Sequence, residues 1–334
     1  MKRILIIRLS AMGDVLLTTP LVRSVKARYP EASIDFLVKE DYAPLLRTNR
    51  HLDNLLLFSP ESGFFEIRRI LHKIRETEYD AILDLQVNLR SLIFRAFSGA
   101  RRRIHHRPDR WRRFLLVHFG RGLQSVFQPI PLRFFDSISS LNVEDDGGGL
   151  DLIVEEGAKQ TAVSVLGEGR RIALAPGASR FTKRWPAEGF AEVGAHFQEK
   201  GNKVVLLGGE DDRDVCEEVA RRMQKAPLNV AGRFLLQETA AAIAGSDLLI
   251  SNDTGLMHMG AALRKPVVAV FGPTTAHLGF APFRTSSVVV ERPLSCRPCS
   301  YHGTERCPKG HFKCMEEIQS MDVIRAAESL LQRE

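Results

Sequence analysis

Four short segments hold the side chains best suited to chemistry, and each follows a run of apolar residues. In SNDTGLMHMGAAL, residues 251–263, the turn Asp253-Thr254-Gly255 leads from Leu248-Leu249-Ile250 into a stretch of small residues with helical character. A strand, a tight turn and a helix start aim unsatisfied N–H groups and a positive dipole end at one point. A phosphate could be held there without metal. Leu256 lies in that first turn. His258, four residues after Thr254, shares its helical face and could bond a phosphate or a sugar. Two plainer readings stand beside this one: Asp253 or Thr254 as a simple helix cap, and His258 as a buried core residue.

In APGASRFTKRWP, residues 175–186, Ser179 offers a hydroxyl and Lys183 a point charge to an anion. The alternative is a solvated basic loop with Trp185 packed in the core. In LLGGEDDRD, residues 206–214, Glu210 follows Gly208-Gly209 and could accept hydrogen bonds from ribose hydroxyls. Asp212-Arg213-Asp214 matches the DxD pattern of metal-dependent glycosyltransferases, but it opens a helix, where Asp is expected as a cap. In LSAMGDVLLTTP, residues 9–20, Gly13 permits a tight strand-to-helix turn and sets Asp14 near a helix N-terminus. A helix dipole favours a carboxylate there, and it could take a proton from a substrate hydroxyl. An N-cap is again the alternative. No GxGxxG motif follows the first strand, which argues against a dinucleotide site in this half.

These turns need strands to carry them. Residues 2–9, 32–38, 55–58 and 81–85 read as strands, with helices over 15–29 and 64–76. The basic run 101–113 breaks the rhythm, and EDDGGG at 144–149 reads as a loop or linker. A second series begins with a strand at 171–175 and a helix over 187–200. Strand 203–207, helix 212–225, helix 236–244, strand 248–250, the helix after Thr254, strand 267–271 and a last helix over 321–332 follow. Strands alternating with helices imply parallel sheets covered on both faces, which bind ligands at the C-terminal ends of their strands. The expectation is an α/β protein of two Rossmann-like domains, residues 1–155 and 156–334. It leaves open whether the last helix packs back on the first domain.

The chain's 334 residues suffice for two domains, and 44% hydrophobic with 26% charged residues are globular values. No apolar run reaches the roughly 18 residues of a membrane span. The start MKRILIIRLSAMGD resembles a signal peptide, but Arg8 interrupts its apolar run, so a first strand and a cytoplasmic chain are expected. The formal net charge is +7. The run RRRIHHRPDRWRR, residues 101–113, holds seven arginines and two histidines. It is either a solvated surface loop or a face for an anionic acceptor or membrane leaflet. Nucleic-acid binding would want more interleaved aromatics than Trp111. Four of the five cysteines form C-x2-C-x7-C-x6-C from Cys296 through Cys299 and Cys307 to Cys314. The second pair lacks zinc-ribbon spacing, so reduced structural thiols are preferred to a metal site. Cys216 reads as core.

The motifs MGDVLLTTP (12–20), PGASRFTKRWP (176–186), SNDTGLMHMGAAL (251–263), FGPT (271–274) and CRPCSYHGTERCPKGHFKCM (296–315) occur in this order over nearly the whole chain. Together they resemble the ADP-heptose:lipopolysaccharide heptosyltransferases of glycosyltransferase family 9, and most nearly the heptosyltransferase II type. The resemblance implies a glycosyltransferase-B architecture, two Rossmann-like parallel-sheet domains facing a cleft. It implies an inverting transfer of heptose from ADP-heptose to the Kdo/heptosyl-lipid A inner core. Asp14 would be the base. Ser179 and Lys183 would bind the donor diphosphate, and Glu210 the ribose. Asp253, Thr254, Gly255, Leu256 and His258 would line the donor phosphates and sugar. Ser179 stands where some relatives have Thr.

No cofactor and no metal ion are expected beside the nucleotide-sugar donor and the lipid-linked anionic acceptor. Gly13, Arg101, Arg102, Arg103 and Arg107 are assigned to the acceptor. Peripheral contact with the inner face of the cytoplasmic membrane is expected, and no nucleic-acid partner. The competing readings are a nucleotide-sugar epimerase of the same architecture, a transferase using another nucleotide-sugar, and a nucleic-acid- or zinc-binding module.

Overall fold

A computed structural model of the chain describes residues 1–107, 117 and 127–332. These fall into two compact units, 1–107 with 130–153, and 127–129 with 154–332. The first unit holds strands β1 (Arg3–Ile7), β2 (Ser33–Lys39), β3 (Asn54–Phe58), β4 (Ala81–Asp84) and β5 (Arg102–His105). They pair in parallel in the order β3-β2-β1-β4-β5. β1 and β4 are largely apolar and β2 adds Ile34, Phe36, Leu37 and Val38; all three are buried apart from strand ends, as a parallel sheet covered on both faces requires. Its helices are α1 (Met12–Leu16), α2 (Thr19–Arg28), α3 (Gly63–Thr77), α4 (Leu89–Ala96) and α5 (Ile130–Ser137). Ile70 and Ile74 of α3 and Phe94 of α4 pack with Leu5, Ile7 and Ile82 in one core. Each such buried side chain contributes roughly 1.5–3 kcal/mol.

The second unit holds β6 (Arg171–Ala175), β7 (Lys203–Leu206), β8 (Leu228–Asn229), β9 (Leu248–Asn252), β10 (Val267–Phe271) and β11 (Ser287–Glu291). They too pair in parallel, in the order β11-β10-β9-β6-β7-β8. Its helices are α6 (Glu156–Leu166), α7 (Ala187–Glu199), α8 (Arg213–Arg222), α9 (Leu236–Ala244), α10 (Gly255–Ala262), α11 (Lys313–Glu316) and α12 (Ser320–Leu331). The last helix packs on β9, β10, β11 and α7 of its own unit. Val323, Ile324, Ala327 and Leu330 join that core.

Each sheet grows outward from a central strand in one direction and then restarts on its other side. The reversals lie between β1 and β4 in the first sheet and between β6 and β9 in the second. Such switch points leave a crevice beyond the C-terminal strand ends. Asp14 follows β1. Ser179 and Lys183 follow β6, and Asp253 follows β9.

Three local differences from the sequence expectation have physical causes. The helix expected over 15–29 is two helices, and the first begins at Met12. Pro20 removes an amide from the ladder. The hydroxyls of Thr18 and Thr19 bond the carbonyls of Val15 and Leu16, which separates the pieces. The start of the basic run is not a loop but the edge strand β5, supported by the amide of Arg102 on the carbonyl of Asp80. The helices α4, α5, α6 and α11 and the edge strands β8 and β11 were not foreseen. α4 has a sequence signal in its capping box, Asn88 with Ser91. The loop 144–149 is a loop, pinned to α2 by Arg23, whose Nε lies 2.5 Å from Asp146.

Candidate functional site

In the first unit the turn after β1 is held by Arg8, the first residue past β1, and by side chains of the turn after β4. Arg8 donates Nε to the Ser10 carbonyl at 3.0 Å and Nη1 to the Leu85 carbonyl at 2.5 Å. Its Nη2 lies 2.6 Å from Asp14 Oδ2. Gln86 Oε1 accepts the amides of Leu9 and Ser10 at 2.9 and 3.1 Å. Gln86 is itself set by Asp84, whose Oδ1 accepts the amides of Gln86 and Val87. Asp14 sits in the first turn of α1, where no side chain caps the helix, so the cap reading does not describe it. Its carboxylate is about a quarter exposed, oriented by Arg8 and reachable from solvent. A group that must take a proton from an incoming hydroxyl needs both properties.

In the second unit Asn252, at the end of β9, ties the two central strand ends together. Its Nδ2 donates to the carbonyl of Pro176 at 2.8 Å, and its Oδ1 accepts the amide of Trp185 at 3.1 Å. This closes the loop that carries Lys183. Lys183 Nζ lies 2.8 Å from Asp253 Oδ2, which also accepts the hydroxyl of Thr274 at 2.7 Å. Asp253 is therefore not a helix cap. Thr254, the residue before α10, makes no side-chain cap either, its hydroxyl lying 3.3 Å from that of Ser251. Among the described residues the first-turn amides of α10 thus receive no side-chain acceptor, beside a fixed ammonium group. That arrangement suits an anion.

The assigned donor residues divide. Lys183, Thr254 and Gly255 stand together at the switch point. Ser179 is exposed in the same loop as Lys183. Asp253 is buried and pairs with Lys183, so in this structure it positions the ammonium group. His258 is 4% exposed within α10, which favours the core reading, and Leu256 is buried at the helix start. Glu210 is exposed on the turn after β7 and pairs with Arg213 at 2.8 Å. Asp212 does not act as a simple cap. Its carboxylate fills the space between Gly177 and Gly208, accepts the amide of Gly209 at 3.1 Å, and is pushed up in pKa by burial.

The structure separates the arginines assigned to the acceptor. Arg101, Arg102 and Arg103 lie at or near the N-terminal end of β5, and Arg102 pairs in register with Ala81 at the start of β4. The edge that bears Asp14 is three residues further along, about 10 Å away. Arg103 donates to the carbonyls of Ala100 and Ala96 and closes the end of α4. Arg107, beyond the C-terminal end of β5 and exposed, is the one named arginine on the Asp14 edge. The remaining arginines of the run, Arg110, Arg112 and Arg113, lie outside the described residues.

The cysteine-rich tail lies against the donor loop. Thr304 accepts the Thr182 amide at 3.1 Å, and Phe181 stacks on Phe312 at 5.2 Å. Arg297, almost fully buried, donates to the carbonyls of Phe271 and Thr274, fixing the loop that presents Thr274 to Asp253. The described cysteines are unlinked. Burial pushes Cys299 up, Cys314 to about 11 and Cys216 to about 12. At Cys307 burial is outweighed by the amides of Phe312, Lys309, Gly310 and His311, and the thiol is more acidic than usual. Among the described residues no group of three or more His, Cys, Asp or Glu is arranged to hold a metal ion. Sequence reasoning missed Arg8, Gln86, Asn252, Thr274 and Arg297. Asn252, Thr274 and Arg297 lay inside quoted motifs, but their partners are distant in sequence.

Residues 67–308 match the family model of glycosyltransferase family 9 (heptosyltransferase). Over 99% of both chains the sequence is 28% identical to the lipopolysaccharide heptosyltransferase 2 of Salmonella typhimurium, and equally to that of Escherichia coli. Among solved structures it is similar to a family 9 glycosyltransferase from Veillonella parvula, with 26% identity, TM-score 0.84 and coverage of 100% and 98% of the two chains. It is also similar to the E. coli ADP-heptose LPS heptosyltransferase II, with 25% identity, TM-score 0.79 and coverage of 100% and 99%.

Proposed function

The chain belongs to glycosyltransferase family 9, the heptosyltransferases, and on that premise we propose that it moves a heptose from ADP-heptose to the inner core of a lipopolysaccharide acceptor. Asp14 takes the proton of the acceptor hydroxyl as its oxygen bonds the anomeric carbon. The bond from that carbon to the diphosphate breaks, ADP leaves, and the configuration inverts. Negative charge grows on the departing diphosphate. Lys183 and the first-turn amides of α10 meet it with charges already in place, the kind of stabilisation that costs no reorganisation during reaction. The reaction accordingly requires no metal ion and no cofactor. Ser179 adds a hydroxyl to the diphosphate and Glu210 accepts from the ribose. Arg107 meets the anionic acceptor. The enzyme works peripherally at the cytoplasmic face of the membrane. No helix among the described residues is long and apolar enough to cross one.

One observation carries this reading: an ammonium group fixed by a buried carboxylate beside an uncapped helix start, at the switch point of the second sheet. ADP release from ADP-heptose, measured with and without a lipid A-linked acceptor, tests it. Prompt release only with acceptor is expected. Conversion of the sugar nucleotide without acceptor would establish the epimerase reading instead. Asp14→Asn should lower turnover by about 10²–10⁴-fold while leaving donor affinity unchanged. Near-normal turnover would remove Asp14 as the base.

A further inference from the structure

The N-terminal ends of α3 and α4 hold four large apolar side chains in solvent. Phe64 is 73% exposed, Phe65 80%, Leu89 73% and Leu92 43%. With Phe97 at the other end of α4, five of the ten large hydrophobics exposed among the described residues stand on or beside these two helices, too concentrated for ordinary scatter. The core does not need them, because α3 meets the sheet through Ile67, Ile70 and Ile74, and α4 through Phe94.

The four side chains belong to one rim. β3 and β4 are parallel and in register with β2 and β1, so the segments that follow them leave the sheet at the edge from which the Asp14 turn also leaves. Phe58, at the end of β3, packs edge-on against Phe94 of α4 with ring centres 5.9 Å apart. The guanidinium of Arg90 covers the same Phe58 ring at 5.7 Å. The start of α4 therefore lies at the end of β3, and only residues 59–62 separate that strand from α3. The charge on the two helices is basic, with the exposed Glu61 just before α3 as a nearby acid. The two helices carry Arg68, Arg69, Lys73, Arg75, Arg90 and Arg95 against Glu66 and Glu76. Arg69 is spent on Glu66 and Arg95 on Asp84, but Arg68 and Arg90 are exposed with no acidic partner among the described residues.

We infer that this rim is the face by which the first unit enters an anionic phospholipid leaflet, with the Phe and Leu side chains at the acyl boundary and Arg68 and Arg90 on the headgroups. Protruding aromatics flanked by unpaired arginines fit an interface that is apolar below and negatively charged above. The inference rests on the peripheral membrane reading proposed above, and it adds which surface makes the contact. Because the rim shares the sheet edge of Asp14, docking there would bring a lipid-anchored acceptor to the base.

Sedimentation with vesicles tests it. The wild-type protein should partition onto vesicles of phosphatidylethanolamine with phosphatidylglycerol, and much less onto phosphatidylcholine alone. The double variant Phe64→Ser, Phe65→Ser should lose at least about tenfold in partition. Arg68→Ser with Arg90→Ser should lose about fivefold per arginine at low salt. Both variants should keep wild-type turnover on a soluble, deacylated acceptor, which also shows that they fold. Unchanged partition of the Phe variant would overturn the assignment of this face. So would a patch that instead drives self-association without vesicles, seen as a concentration-dependent dimer that the Phe variant abolishes. Failure of heptose transfer itself would appear in the deacylated-acceptor assay and is distinguishable from either result.

Discussion

Lys183 and Asp253 form an ion pair whose members do different work, and the difference can be measured. Asp253 is buried and would be costly as a lone charge, while Lys183 retains ammonium hydrogens beyond the one directed at Asp253. Lys183→Ala should therefore destabilise the fold by about 3 kcal/mol or more, because it strands the carboxylate. Asp253→Asn in the same chain should recover most of that stability, since Asn can still accept the hydroxyl of Thr274. ADP affinity should not recover, staying down by roughly tenfold or more for the lost charged hydrogen bond. Thermal melts and ADP titration of the two variants separate the effects. A double variant that binds ADP like wild type would make Lys183 purely structural. Asp14 is held by the same logic, with Arg8 as orienting partner and Gln86 fixing the backbone beneath it.

At the level of elements, the Gly turns after β6 and β7 are both set by Asp212, which closes the second turn and presses on the first. A Cβ on Gly177 would lie 2.0 Å from Asp212 Oδ1, and one on Gly208 would lie 2.6 Å from Asp212 Cβ. Asp212 at the start of α8 thus acts as a spacer between two loops of the donor edge. Gly177→Ala should cost about 1–3 kcal/mol through this overpacking. Removing the obstruction with Asp212→Gly in the Gly177→Ala chain should return part of it, a coupling that two independent sites would not show. Chemical denaturation of the four chains in the cycle gives the coupling energy. Strict additivity would mean that the two residues do not press on each other.

At the scale of the molecule, each half carries one end of the proposed reaction: the carboxylate follows the first sheet and the anion site lies in the second. Hydrogen exchange with ADP bound should show protection at 177–183, 208–210 and 253–258, and none at 8–14. Protection at 8–14 would put the nucleotide in the first unit and end the assignment of roles. On the proposed mechanism, in which fixed amides and one ammonium group carry the charge, chelators should leave transfer intact. Loss of activity in a chelator, restored by a divalent ion, would show that they do not.

The chain by itself determined what short-range physics controls. Uninterrupted apolar runs such as ILII and LLI make buried parallel strands, and the Gly-containing turns after them mark where ligands can sit. Asp14, Lys183 and the start of α10 were visible for that reason. Only the tertiary structure decided which side chains face one another. Asp253 was legible as a residue of the donor turn, but its pairing with Lys183, distant in sequence, is visible only in the fold. Arg101 to Arg103 looked like one surface with Arg107. A four-residue strand, however, puts them at opposite edges of the sheet, because β pairing sends the two ends of a strand to opposite sides whatever charge they share.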